Sequence, residues 1–322
     1  MNSTDLKDET GLSLSNKSAK AIFILLLIIC LTPYVSPPIA LLLGLITANV
    51  IGHPFLSYNR KATTILLQVS VVGLGFGMNV ETALAAGRQG IVFTVVSILS
   101  TLIIGYYLGK QLKTDNKTSM LISTGTAICG GSAIAAISPI IKAEEKQISV
   151  ALGTVFILNS VALFVFPMIG HLLNLSQIQF GLWSAIAIHD TSSVVGAASK
   201  YGSIALQTAT TVKLARALWI IPIALVTSFF VKNKSAKIKF PYFIGYFILA
   251  IIVNTYFTSI SLVSPYIVSI SKTGLTVTLF LIGAGLNRSV IRTVGIKPMI
   301  QGVILWILIS VSSLLVIMDV VK

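Results

Sequence analysis

Of 322 residues, 55% are hydrophobic and only 10% are charged, with a mean hydropathy of +0.94 and a formal net charge of +14. A soluble domain carries roughly 25% charged residues, so a water-soluble globule is excluded. Apolar runs recur near the roughly 20 residues that a membrane-crossing helix needs, and alternating strand patterns are absent. The basic residues lie scattered between apolar runs without interleaved aromatics. They read as the positive-inside asymmetry of a membrane protein, and no nucleic-acid partner is expected.

In chain order, residues 1–19 form a polar cytoplasmic tail. The first apolar run is followed by Tyr34 and Pro37-Pro38 with no small-residue cleavage site, so it does not read as a removed signal peptide. Residues 20–322 read as a single transmembrane domain. Eleven candidate spans cover 20–36, 37–53, 61–79, 89–109, 118–141, 147–170, 179–199, 204–231, 240–257, 262–287 and 297–318, joined by short, mostly charged linkers. With the N-terminus in the cytoplasm, 15 Lys and Arg fall inside and 5 outside. The turn near His171 does not fit, since it should face inward but carries no Lys or Arg.

After an extra helix at 20–36, the remaining ten spans divide five and five, with repeat one at 37–170 and repeat two at 179–318. An odd number per half makes the repeats inverted. Ala62-Thr63-Thr64-Ile65 opening span three and Ala209-Thr210-Thr211-Val212 opening span eight lend slight support.

Two spans depart from plain apolar helix, each fourth in its half. Span five carries Ser123-Thr124-Gly125-Thr126-Ala127-Ile128-Cys129-Gly130-Gly131-Ser132-Ala133, where paired glycines weaken a helix and admit close backbone approach. Freed backbone groups there must face protein, water or substrate. Span ten carries Ser269-Ile270-Ser271-Lys272-Thr273-Gly274, with a lysine that costs roughly 2.5–3.5 kcal/mol in mid-membrane. Matching interruptions in inverted halves point to a transporter binding site, and half-helix N-termini suit an anion. The candidate substrate-binding residues are therefore Thr126, Cys129, Gly130, Gly131, Ser132, Ser271, Lys272 and Thr273. Tight helix packing is the alternative for the glycines, and snorkelling for Lys272.

His189 and Asp190 in span seven, with Lys213 and Arg216 on one face of span eight, are the coupling or gating candidates. Lys213, Arg216 and Lys272 against Asp190 alone favour an anion path, with a buried Asp190–Arg216 ion pair as the structural alternative. No phosphate loop, HExxH, CxxC or metal-spaced cluster occurs, so no metal, cofactor or enzymatic activity is expected. Cys30 and Cys129 read as buried small hydrophobes, His53 and His171 as interfacial, and Gly73-Leu74-Gly75-Phe76-Gly77 as close packing.

At GTAICGGSAIAA (125–136) and IHDTSSVVGAA (188–198) the chain resembles the YeiH-type bacterial membrane proteins, described as uncharacterised or as sulfate exporters. The likeness extends to VKLARALWIIP (212–222), LFLIGAGLN (279–287) and GIKP (295–298). Asp190 stands where relatives more often have Glu. The resemblance implies a bacterial inner-membrane location and kinship with sodium/proton antiporters and bile-acid symporters. It thereby implies an all-α fold of ten or eleven spans with two inverted five-helix repeats and crossing interrupted helices. The expected function is alternating-access export or exchange of a small anion such as sulfate or a related sulfur oxyanion. The partners are that anion and the bilayer, with a homodimer left open. A cation/proton antiporter is the first alternative, and a membrane-embedded enzyme or non-transporting sensor the second.

Overall fold

The computed structural model describes residues 16–52, 54–231, 242–257, 260, 262–286 and 294–321. The tail up to residue 15, His53, and the basic stretches 232–241 and 287–293 lie outside the described residues. Among the described residues the regular structure is helical throughout. The helices are α1 (Asn16–Ile29), α2 (Pro37–Val50), α3 (Leu56–Leu74), α4 (Val80–Gln111), α5 (Asn116–Ala127), α6 (Gly131–Ile137), α7 (Glu145–Leu172), α8 (Gln177–Ala187), α9 (Thr191–Tyr201), α10 (Ser203–Ala217), α11 (Ile220–Val231), α12 (Tyr242–Tyr256), α13 (Ser264–Gly285) and α14 (Ile296–Val320).

Among the described residues, five helical stretches are long and apolar enough to cross a membrane: Gly90–Gln111, Lys146–Leu172, Ser203–Phe229, Ser264–Gly285 and Ile296–Val320. The chain bends by 110° between Lys61–Gly77 and Val80–Arg88, and α2 and α12 are shorter apolar helices. On α4, Ile91, Val92, Val96, Leu99 and Ile103 are all exposed. Such a stripe is stable only against lipid. Exposed tyrosines such as Tyr34, Tyr106, Tyr107, Tyr242, Tyr256 and Tyr266 suit the aromatic belts of a bilayer. The chain is an all-α membrane-embedded protein.

Two of the expected spans do not cross. In span five, α5 and α6 fold into a hairpin whose ends return to the same level. Lys117 Nζ donates to the carbonyl of Lys142 at 2.7 Å, and Gln147 Nε2 donates to the Asp115 carboxylate at 2.8 Å. In span seven, α8 and α9 do the same. The Tyr201 hydroxyl donates to the Leu175 carbonyl at 2.6 Å, and the Tyr201 ring stacks on Phe180 at 3.8 Å. The arms α5, α8 and α9 have 12, 11 and 11 residues and α6 has 7, so the longer arms reach roughly 17 Å, about half of a ~30 Å hydrocarbon core.

The two hairpins enter from opposite ends, because α7 connects one base to the other. Along α7, Gln147 meets the first base at Asp115, and Val155 lies beside Gly130. Further on, Asn159 meets His189, Leu163 lies beside Gly196, and Gly170 lies beside Phe180 and Tyr201 at the second base. The tips meet in the middle. A Cβ on Gly130 would lie 3.3 Å from the Cβ of Asp190 and 3.4 Å from the His189 carbonyl.

Local sequence explains these hairpins. Asp115 caps α5 by accepting from the Thr118 N–H, and Ser176 caps α8 by accepting from the Gln179 N–H. At the first tip, Gly130 adopts φ +62°, ψ −123°, a conformation only glycine takes without strain. Small residues then let neighbours approach. Gly105 and Gly109 of α4 face Ser123 and Ser119 of α5, and Gln301 of α14 donates to Ser119 Oγ at 2.8 Å. Trp183 of α8 donates its indole N–H to the Ser310 carbonyl of α14 at 2.9 Å.

The remaining helices pack differently. Here α13 lies between α2 and α3, with Gly44 against the Phe280 carbonyl and Gly283 against the Leu41 carbonyl. The rings of Phe23, Phe55 and Phe280 meet edge to face. Gly75 and Gly77 close against Phe247 and Val268, which is the close packing expected of the glycine-rich run.

The interruption expected in span ten is absent, because α13 runs unbroken from Ser264 to Gly285. Its hydroxyls keep the polar stretch helical by bonding back along their own helix. Ser271 Oγ donates to the Ile267 carbonyl at 2.7 Å, and Thr273 Oγ1 donates to the Ser269 carbonyl at 3.2 Å. The interrupted partner of span five is span seven, which is first in its half, so the two breaks do not occupy matching positions of a five-plus-five division.

Candidate functional site

The hairpin tips hold a buried polar cluster. Among the described residues, the buried side chains that are charged or imidazole-bearing are His189, Asp190, Lys213 and Arg216, all from this one place. His189, Lys213 and Arg216 are 0% exposed. Thr126, Cys129 and Gly130 from the first tip are buried as well.

Both cations are held by the carbonyl ends of half-helices. Arg216 Nε donates to the Ala127 carbonyl at 2.7 Å, where α5 ends, and its Nη1 donates to Ser97 Oγ of α4 at 2.9 Å. Lys213 Nζ donates to the carbonyls of Ile188 at 2.7 Å and Ala185 at 3.3 Å, where α8 ends. A helix C-terminus leaves its last carbonyls unpaired and carries a partial negative charge. Four residues of α10 thus fasten both tips at once, since positions three apart share a face.

Asp190 is the N-cap of α9. Its Oδ1 accepts from the N–H and hydroxyl of Ser192 at 2.8 and 2.6 Å, and its Oδ2 accepts from those of Ser193 at 3.2 and 2.6 Å. Four bonds occupy the carboxylate within its own helix. Asp190 and Arg216 are thus each bonded elsewhere, and the ion-pair alternative does not describe them.

Several polar atoms of the cluster have no partner. These are both ring nitrogens of His189, Nη2 of Arg216, Nδ2 of Asn159 and Oγ1 of Thr126. Buried polar groups without partners are rare and each carries a desolvation cost. Arg216 Nη2 and Asn159 Nδ2 are pure donors, Thr126 can donate, and an imidazole always has at least one N–H. The set is donor-rich, and the formal charges are two positive against one negative. Among the described residues no three His, Cys, Asp or Glu side chains are grouped to hold a metal ion.

The structure therefore brings Thr126, Cys129 and Gly130 together with His189, Asp190, Lys213 and Arg216. Gly131 is half-buried, and Ser132, the second residue of α6, is exposed but reaches Cys129 with its side chain. Ser271, Lys272 and Thr273 are not in the cluster. Lys272 is exposed on α13, and Ser271 is buried against Gly73 of α3. His171 is exposed and stacks on Tyr201 at 4.4 Å.

Sequence reasoning missed Ser97 and Asn159. The latter fixes the second tip by accepting the His189 backbone N–H at 2.9 Å. It also missed that the tips repeat one another. Ala127-Ile128 and Ser132 at the first tip recur as Ala187-Ile188 and Ser192 at the second. Aligned so, Cys129 matches His189, and Gly130 matches Asp190.

Residues 17–302 match the family model described as Conserved hypothetical protein 698. A "UPF0324 membrane protein" of Bacteroides thetaiotaomicron is 56% identical over 283 residues, covering 87% of this chain and 86% of its own length. Another of Porphyromonas gingivalis is 56% identical over 287 residues, covering 88% and 87%. One of Photobacterium profundum is 50% identical over 298 residues, covering 92% and 91%. No solved structure matches the chain.

Proposed function

The chain belongs to the UPF0324 family of membrane proteins, and we propose that it is a secondary transporter that exports or exchanges a small anion by alternating access. The observation that carries this reading is the donor-rich, net-positive cluster buried where the two hairpin tips meet. An anion accepted there would satisfy Arg216 Nη2, Asn159 Nδ2 and Thr126 Oγ1 while offsetting the surplus positive charge. The cation/proton antiporter reading lacks support, since it needs a free carboxylate and Asp190 is fully engaged as a cap.

The hairpins supply a means of alternating access. Each tip closes the site from one end, so withdrawing either one exposes the cluster to one side only. This changes the repeat proposed from sequence. The repeating unit becomes a hairpin followed by a crossing helix, first α5–α6 with α7, then α8–α9 with α10–α11 in the opposite sense.

We also place the N-terminus in the cytoplasm of a bacterial inner membrane. Counting both hairpins as returning moves Lys142 and Lys146 to the inner side. The inside set grows from 15 to 17 and the outside set falls from 5 to 3. The turn at His171 moves outside, where its lack of Lys and Arg agrees with the rule.

The test is anion flux into vesicles reconstituted with purified protein, comparing wild type with Arg216→Gln. A saturable anion-dependent flux abolished by the substitution is expected. Wild-type flux in Arg216→Gln, or no movement of any small inorganic anion, would refute the proposal.

A further inference from the structure

The tip cluster also constrains the charge state of its ligand, and this step rests on the anion reading above. Lys213 and Arg216 against Asp190 leave one net positive charge in a water-excluded place. Neutrality is restored by one negative charge, whereas a dianion would replace a buried surplus of one sign by a surplus of the other. The groups facing His189 from the packed elements are Lys213 and Arg216 on α10, Cys129 at the first tip, Asn159 on α7 and Asp190 beside it in the chain.

The imidazole of His189 sharpens the point. Both its nitrogens are unpartnered and the residue is wholly buried. A neutral imidazole has one donor and one acceptor nitrogen. A bare oxyanion offers only acceptors, which leaves the acceptor nitrogen unmet. An oxyanion with one hydroxyl meets that nitrogen, its O–H donating to the ring. Equivalently, a bare dianion can pair with a protonated ring, because the extra charge on His189 then balances the extra charge on the ligand. Both descriptions contain the same atoms: one oxyanion, one imidazole and one proton between them.

We propose that the site binds a doubly ionisable oxyanion together with one proton, so that the transported unit is singly charged and carries hydrogen. Sulfite is the informative probe, because its second ionisation falls near neutrality, with sulfate and nitrate as comparisons. Titration calorimetry of the purified full-length protein, below and above that ionisation, reads affinity. Repeating it in two buffers of different ionisation heat reads protons taken up per anion bound.

About tenfold tighter sulfite binding is expected on the acid side, the equivalent of one good hydrogen bond in a dry site. One proton should be taken up per sulfite on the alkaline side, and none for nitrate. His189→Leu, which offers neither an acceptor for the ligand's O–H nor a ring to take the proton, should weaken both the preference and the uptake. Sulfite or sulfate bound without proton uptake and equally on both sides would overturn the proposal while leaving the anion site standing. Preference and uptake undiminished in His189→Leu would overturn the role of His189. Failure of all three anions to bind would remove the anion reading itself.

Discussion

The hairpin bundle and the α2–α3–α13 bundle are built from similar apolar residues but solve opposite problems. Around α13, glycines press helix backbone onto helix backbone, and among the described residues no charged side chain is buried there. At the hairpin tips the chain breaks its helices in mid-membrane, buries two cations and an acid, and leaves polar atoms without partners. A protein that needed only stability would have no reason for the second arrangement. Under the proposed function the first bundle serves as frame and the tips as the place where the anion binds.

Removing Arg216 is the sharpest way to test that contrast. Arg216→Gln loses two charge-assisted hydrogen bonds, each worth about 1.5–3 kcal/mol, and unfastens α5 from α10. Anion affinity should fall at least about a hundredfold, with thermal unfolding lowered as well. Affinity retained in this variant would mean the tips are merely structural.

In the frame, Gly44→Ala would place a Cβ 2.0 Å from the Phe280 carbonyl oxygen, against backbone that has little room to give. Overpacking of this kind costs about 2 kcal/mol. Unfolding should shift to lower temperature while anion affinity of the folded protein stays at the wild-type value. If affinity drops in step with stability, the division between frame and tips breaks down.

Asp190 separates a cap from a proton carrier. Asparagine caps helices nearly as well as aspartate, so Asp190→Asn should cost about 1 kcal/mol or less and preserve transport, whereas Asp190→Ala should cost about 1–2 kcal/mol. Transport abolished in a stably folded Asp190→Asn variant would restore the carboxylate to a coupling role. The smallest effect belongs to Lys272→Ala. An exposed side chain outside the cluster should change stability and anion affinity by less than about 0.5 kcal/mol, as measured by thermal shift and titration.

Much of this was legible before any fold was known, and the part that was not has a physical cause. Composition and apolar run length gave the all-α, membrane-embedded character, because lipid leaves the backbone few alternatives. The run from Thr124 to Ser132 stood out correctly, since glycine pairs in a span are costly without a purpose. Lys272 misled because a mid-span lysine and a Ser–Thr–Gly run look alike whether a helix breaks or its hydroxyls bond back along it. His189-Asp190 reads in sequence as a coupling or gating pair inside a continuous span, whereas in the fold it forms a turn and a helix cap. An acid followed by Thr191-Ser192-Ser193 is the signature of a helix start, and the echo of Ala127-Ile128 in Ala187-Ile188 is the signal that pairs the two tips. Hairpins and spans cannot be told apart by hydropathy, because two half-length arms contain as many apolar residues as one crossing helix.

The half-membrane reach of the hairpins has an electrical meaning. A charge held where the tips meet sits about midway through the transmembrane field, which amounts to about 2.3 kcal/mol per elementary charge for every 100 mV. An anion travelling outward through this site would cross that drop in two nearly equal steps, each helped by about 1.1 kcal/mol per 100 mV when the cytoplasm is negative. Neither face of the membrane would hold the substrate in a voltage trap, and the resting potential alone would bias an uncoupled carrier of this design toward release at the outer side.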